Sequence, residues 1–331
     1  MVDEVAKDLM TQISTPASHS RNKLTVVGNG QVGMACAFAC LSQKVADEIV
    51  LIDSFQDKVQ GETLDLQQGV AFSPSVKVLG GSDYSLTKDS KVCIITAGAR
   101  QQVGESRLDL MTKNVQIFQK IIPEIVKYSP DVIILVVTNP VDILSYITWK
   151  LSGLPHHRVI GAGTNLDTAR FKQLVSAKFG INIQLVNMWV LGEHGDSSVP
   201  VYSSLRVGDV SLVGCKKSDC GEFKQWEEVY EAVRISAYEI IKLKGYTSWA
   251  IGLSCSDICK SIFHNTNNAH ALSTLAKGLY GIADEVYISL PCIVGQNGIT
   301  HVINLPLTES EKSALHDSAS KLYNLQQELH V

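Results

Sequence analysis

The chain has 331 residues, 45% of them hydrophobic and 19% charged, with a formal net charge of −4. At roughly 100–200 residues per domain, that length gives about two domains and a core that needs neither disulfides nor a metal to hold it. The balance of 29 basic against 33 acidic residues lacks the excess of a nucleic-acid binder, and no apolar run approaches the ~20 residues of a membrane helix.

Residues 1–22 carry Asp3, Glu4 and Asp8 and no continuous apolar stretch, which argues against a secretory or mitochondrial leader and for a cytoplasmic protein. Val5, Leu9 and Ile13 at helical spacing make this segment a candidate arm. From there short β-branched runs alternate with longer helical patterns. Leu24–Val27 reads as a strand and Gln31–Gln43 as a helix; Glu48–Ile52 and Lys58–Gln68 repeat the pair. Val92–Ile95 precedes a long helix in which Met111, Val115, Phe118, Ile122 and Ile125 recur on one face, ending at Ser129-Pro130. Val132–Val137 is the next strand. These strands are continuously apolar, the mark of strands covered on both faces, hence a doubly wound parallel α/β sheet of the Rossmann type.

Beyond Gly161-Ala162-Gly163 the rhythm changes. Asn165–Phe179, Phe223–Lys242, Trp249–Ile262 and Glu309–Leu329 read as helices, and Met188–Leu191 and Val199–Val207 as strands. Val286–Val294 followed by Gly295-Gln-Asn-Gly298 reads as a hairpin. The expected layout is an arm over 1–22, a parallel α/β domain over 23–162 and a mixed α+β domain over 163–331. Eight cysteines (36, 40, 93, 215, 220, 255, 259, 292) fall mostly in apolar surroundings. No His or Cys pair stands near them at zinc-site spacing, so they read as reduced packing residues and no metal site is expected.

Gly28-Asn29-Gly30-Gln31-Val32-Gly33 is a GxGxxG pattern, weak alone but here placed between a strand and a helix. The first glycine permits a tight turn, the second a close approach to a pyrophosphate, the third close helix–strand packing. Gly28, Gly30, Gln31, Val32 and Gly33 are therefore candidate cofactor contacts, with the helix N-terminus facing the phosphates. Asp53 stands twenty residues after Gly33, at the end of the second strand. A carboxylate there accepts from the adenosine ribose and repels a 2′-phosphate, so the cofactor reads as NAD rather than NADP.

Four further polar groups gather around that rim. Gly192-Glu-His194-Gly-Asp-Ser sets a histidine in a small turn after an apolar strand. Asp167 and Arg170 lie three apart on one helix face, and Thr96–Arg107 and Thr138-Asn139-Pro140 leave strand ends as polar loops. Each has a bland reading: a structural histidine, a surface ion pair, a connector, an Asn-Pro turn. Together they supply an acid/base, a carboxylate to orient it and two arginines.

With Ala97-Gly-Ala-Arg-Gln-Gln, Gly104-Glu-Ser-Arg-Leu, Thr138-Asn-Pro-Val-Asp-Ile-Leu, Asn165-Leu-Asp-Thr-Ala-Arg-Phe, Leu191-Gly-Glu-His-Gly-Asp-Ser-Ser-Val-Pro and Lys244-Gly-Tyr-Thr-Ser-Trp-Ala in order, the sequence resembles the lactate/malate dehydrogenase family nearly end to end. Within it the likeness is to L-lactate dehydrogenases of the vertebrate type. The resemblance implies reversible NADH-dependent reduction of pyruvate to L-lactate, with His194 as general acid/base and Asp167 orienting it. It gives Arg107 the polarisation of the carbonyl and Arg170 the grip on the substrate carboxylate. It further implies that Asn139 contacts carbonyl and nicotinamide before a cis Pro140, that Arg100 contacts the pyrophosphate, and that Thr247 and Ile251 line the substrate and nicotinamide pockets. The same resemblance implies that a loop over about 101–110 closes on substrate and that the arm reaches a neighbour in a homotetramer.

Gln101 carries the choice of substrate. Malate enzymes of the family place an arginine there for a second carboxylate; an amide leaves that charge unpaired, which favours pyruvate over oxaloacetate. A malate dehydrogenase and a silent NAD-binding protein are the rivals. Gln101 stands against the first, and the intact set His194, Asp167, Arg170 and Arg107 against the second. Asn29 and Gln31 depart from the smaller or apolar residues usual in the glycine loop.

Overall fold

The computed structural model describes residues 22–72, 76–99, 107–212 and 222–328, with the backbone alone at 107–108 and 222–225. The expected arm, Cys215 and Cys220, and the loop positions Arg100 and Gln101 lie outside them. So does the side chain of Arg107.

The first half runs β1 (Lys23–Val27), α1 (Gln31–Ser42), β2 (Glu48–Ile52), α2 (Gln56–Gly69), β3 (Lys77–Gly81), β4 (Val92–Ile95), α3 (Arg107–Tyr128), β5 (Ile133–Val136), α4 (Val141–Ser152) and β6 (Val159–Gly161). All six strands are parallel, in the order β3-β2-β1-β4-β5-β6. Every residue of β1, β2, β4 and β5 is buried, as continuous apolar runs require when helices cover both faces. Strand order reverses between β1 and β4, so the loops after Val27 and Ile95 diverge and open a crevice at the carboxyl edge. Met111, Val115, Phe118, Ile122 and Ile125 form the buried stripe of α3, which stops at Tyr128 as the Ser129-Pro130 signal requires.

The second half runs α5 (Asn165–Phe179), β7 (Val186–Gly192), β8 (Ser198–Val207), β9 (Val210–Ser211), α6 (Glu222–Lys244), α7 (Trp249–Phe263), β10 (Asn268–Leu275), β11 (Tyr287–Gly295), β12 (Gly298–Val302) and α8 (Glu309–Gln327). The expected hairpin is β11–β12, with Gly295 paired to Gly298. The sheet does not end with the parallel half. Ser273 of β10 pairs with Gly161 of β6, and Ser289 of β11 with Gly192 of β7, so one twelve-stranded sheet continues as β6-β10-β11-β7-β8-β9. A second core, from Phe171 and Val175 to Val190 and Tyr230, fills the space between α5, α6 and β7–β8.

Elements that the periodicity did not mark are β3, β6, α4, β9 and β10. β3 (Lys77-Val-Leu-Gly-Gly) is an edge strand with two glycines, and β6 has only three residues; neither makes a β-branched run. Six cysteines are buried free thiols. The Cys36 thiol of α1 neighbours Cys255 of α7 and the Cys40 thiol neighbours Cys259, and thiol–thiol hydrogen bonding with burial holds Cys36 and Cys259 well above the usual thiol range. Among the described residues no helix is long and apolar enough to cross a membrane.

Candidate active site

At the cofactor end, the chain leaves β1 through Gly28 in the left-handed region (φ +94°), where a side chain would strike the Thr96–Ala97 backbone. Gly33, in the first turn of α1, packs so close that a Cβ would run into the Gly28 carbonyl. The glycines therefore do what the pattern predicts: one turns the chain, the other lets helix and strand meet. No described side chain caps the N-terminus of α1, where Gly30 is extended and Gln31 and Val32 begin the helix. Asp53 is fixed at the end of β2, its Oδ2 accepting the Asn29 N–H (2.6 Å) and its Oδ1 the Phe55 N–H (3.1 Å). An open groove lined by Ser54, Phe55 and Gln56 lies beside it. An uncapped helix end, a turn that admits no Cβ at Gly28 or Gly33, open space at Gly30 and an adjacent carboxylate fit a dinucleotide. The Asn29 side chain is fully buried, and neither amide atom has a partner among the described residues.

The rim loops are clipped together by a residue that the sequence reading missed. Asn114 of α3 accepts the Ala99 N–H (2.7 Å) and donates to the Asn139 carbonyl (3.1 Å). Thr138 Oγ1 donates to the Ala97 carbonyl (2.8 Å). The Asn139–Pro140 peptide is cis, as the resemblance implies.

In the second half, α5 and β7 are registered by Thr164 Oγ1, which donates to the Val190 carbonyl (2.5 Å), and by Thr168 Oγ1, which accepts the Val190 N–H (3.1 Å). That register brings Asp167 of α5 to His194 in the turn after β7. His194 Nδ1 lies 2.6 Å from Asp167 Oδ2, and Arg170 Nη1 3.0 Å from Asp167 Oδ1. The three residues, singled out from two separate motifs, thus form one cluster, with Asp167 buried and the His194 side chain 27% exposed. Burial disfavours a charged imidazole, yet the attraction and hydrogen bond of Asp167 outweigh it and hold the His194 pKa above its ordinary value. Burial likewise opposes the Asp167 carboxylate, and His194 and Arg170 more than offset it, leaving its pKa lowered. An ionised Asp167 accepts only, so Nδ1 carries its proton toward it and Nε2 faces the site.

A second carboxylate, Asp142 of α4, accepts the His194 N–H (2.8 Å). It is fully buried, and desolvation raises its pKa to about 6. The sequence did carry a signal: Asp142 interrupts Val141-Asp-Ile-Leu144, a lone acid on an otherwise apolar helix start. Thr247 and Ile251 flank the start of α7, half-buried, with Ile251 packed on the main core. That helix reaches α5 through Asn165 Nδ2, which donates to Ser254 Oγ (2.8 Å).

A GxGxxG cradle at the switch point of a parallel sheet, in one chain with a buried histidine–aspartate pair, defines the class as a two-part, dinucleotide-dependent oxidoreductase. The chain belongs to the lactate/malate dehydrogenase family. The family's NAD binding domain matches residues 22–161, and its alpha/beta C-terminal domain residues 164–330. The L-lactate dehydrogenase B-B chain of Danio rerio is 53% identical over 329 residues, covering 98% of both chains. The L-lactate dehydrogenase B chain of Sceloporus woodi is 52% identical, covering 97% of each. The L-lactate dehydrogenase A chain of Trachemys scripta elegans is 53% identical, over 94% of this chain and 95% of the relative.

Proposed function

We propose that the protein is an L-lactate dehydrogenase that interconverts pyruvate and L-lactate with NAD, dividing cofactor binding from chemistry near residue 162. The observation that carries this reading is the Asp167–His194 pair with Arg170 one helical turn along. Full-length likeness to L-lactate dehydrogenases supports it. Gly28, Gly30, Gln31, Val32, Gly33 and Asp53 hold the cofactor in this reading, with Arg100 on the pyrophosphate and Ile251 beside the nicotinamide. NADH, when bound, supplies the hydride.

His194 Nε2 donates a proton to the substrate's carbonyl oxygen in reduction and takes it back in oxidation. The ionised Asp167 stabilises the imidazolium before transfer and fixes which nitrogen is presented. Arg170 grips the substrate carboxylate as a planar fork, and Arg107 stabilises the negative charge that builds on oxygen. Asn139 donates near the same carbonyl, and Thr247 lines the pocket. Gln101 excludes a second carboxylate by offering it no counter-charge.

The protein acts in the cytoplasm as a homotetramer, its 1–22 arm on a neighbour. Phe38, Leu64, Trp249 and Leu253, large apolar residues exposed on α1, α2 and α7, support a covered surface.

Oxidation of NADH in the presence of pyruvate and of oxaloacetate tests the reading. Wild type prefers pyruvate, and Gln101→Arg moves the ratio toward oxaloacetate by about tenfold or more. A wild type that binds NADH but turns over neither oxo acid rejects the enzyme, and an unmoved ratio rejects the role of Gln101.

A further inference from the structure

The turn that carries His194 is held by side chains from two distant elements. The His194 N–H ends on Asp142 of α4, 52 residues away, and the preceding N–H, of Glu193, on Ser318 Oγ of α8 (2.9 Å), 125 residues away. Two successive amides are thereby fixed, and together they set the direction in which the histidine leaves the backbone. Ser318 is fully buried and serves this turn twice, since its Oγ also lies 3.1 Å from Ser197 Oγ. Ser197 closes the turn on itself: its hydroxyl bonds to the Glu193 carboxylate, and its N–H donates to the same group (3.2 Å). Lys321, three residues beyond Ser318, reaches that carboxylate at 3.6 Å.

The helix that presents Ser318 is itself anchored on either side of it. Thr308 and Glu311 form a capping box, and the Glu311 carboxylate accepts the N–H and hydroxyl of Ser203 on β8 (2.9 and 2.7 Å). His316 bonds the Tyr280 carbonyl (2.8 Å), and Gln326 Nε2 donates to the Glu285 carbonyl (2.8 Å). Ser318 therefore stands at a fixed point between anchors, and the Glu193 amide is referenced to the body of the protein through it.

We infer that Ser318 is a positioning residue for the acid/base step: by holding the Glu193 amide it aims the His194 ring at Asp167 and at the substrate. The inference rests on the reading of His194 as the acid/base. The ring is faced by Asp167 and Arg170 from α5 and by Asp142 from α4, with Glu193 preceding it. Loosening the turn weakens chiefly the short contact to Asp167, because that contact depends most on ring direction. A displacement well under 1 Å suffices to slow the step, since misplacement on that scale costs up to about 10²-fold.

The test uses the full-length enzyme and compares Ser318→Ala with Ser318→Thr, which keeps the hydroxyl. Ser318→Ala is expected to lower kcat for pyruvate reduction about tenfold while NADH affinity stays within about twofold. The alkaline limb of its kcat/KM profile moves to lower pH, because the Asp167 contact that raises the His194 pKa is weakened. Ser318→Thr restores both. If kcat and the alkaline limb of Ser318→Ala stay at wild-type values, the inference is overturned, whatever happens to the melting temperature. Should Ser318→Ala not fold, Ser318→Cys, of similar size but a weak acceptor, carries the same expectations and the same overturning result. His194→Asn separates the two levels: if it keeps turnover, the acid/base reading itself fails. If it is inactive, an unchanged Ser318→Ala overturns the role of Ser318 alone.

Discussion

The glycine loop after β1 and the histidine turn after β7 begin alike, each leaving the carboxyl end of a strand through a glycine at positive φ (Gly28 +94°, Gly192 +86°). They end differently. After Gly28 the Asn29 amide is taken by Asp53 (2.6 Å), and the chain then enters α1 with no described side chain capping the helix, so the helix end is the group presented. After Gly192 the next two amides are taken by Ser318 and Asp142, so only the His194 ring is offered. A turn that opens onto a helix end without a side-chain cap recognises an anion by shape and dipole. A turn whose amides are consumed by the protein becomes a rigid stand for one side chain. On the proposed function, the first kind serves binding in this chain and the second serves proton transfer.

Breaking the stand and breaking the cradle therefore have different signatures. The largest effect is expected from His194→Asn, which removes the titrating group and leaves the cradle intact. Its kcat with pyruvate falls about 10²- to 10⁴-fold, with NADH affinity kept, by stopped-flow and fluorescence titration. Gly33→Ala acts on the other half, because its methyl group must displace the Gly28 carbonyl and with it the loop. Calorimetric NADH titration is expected to show affinity down about tenfold or more, and denaturant melts a loss of about 1–3 kcal/mol.

The smallest effect sharpens the comparison through pH. Folding raises the His194 pKa, so its proton adds stability that is complete below the ordinary imidazole value and is lost as pH rises through the raised one. Asp167, lowered, adds stability above the ordinary carboxylate value that is lost as pH falls through its folded value. On the proposed mechanism the same pair governs catalysis. Pyruvate reduction requires the protonated ring, so kcat/KM falls as pH rises through the His194 pKa. Asp167→Asn is expected to move that fall to lower pH, read from initial rates across a pH series.

These two designs also explain what could be read in advance. The cradle is local: strand, glycines, helix and Asp53 follow one another within a few dozen residues, and each leaves a pattern. The histidine stand is not. His194, Asp167 and Arg170 were visible as residue types in short motifs, but their convergence depends on Thr164 and Thr168 registering α5 against β7. Asn114, Asp142 and Ser318 leave fainter traces. Their partners lie 15 to 125 residues away, and a buried serine in the middle of a polar helix resembles any other. β3 escaped because its glycines dilute the strand signal. The joining of β6 to β10 escaped because a single backbone pairing needs no side-chain pattern.

The account's central claim, that the cradle binds and the stand reacts, is tested most directly by pairing NADH titration with pyruvate turnover on His194→Asn and Gly33→Ala. It predicts that His194→Asn binds NADH as wild type does and scarcely turns over, while Gly33→Ala loses binding first. Near wild-type turnover in His194→Asn, or loss of its NADH binding in step with activity, would contradict it.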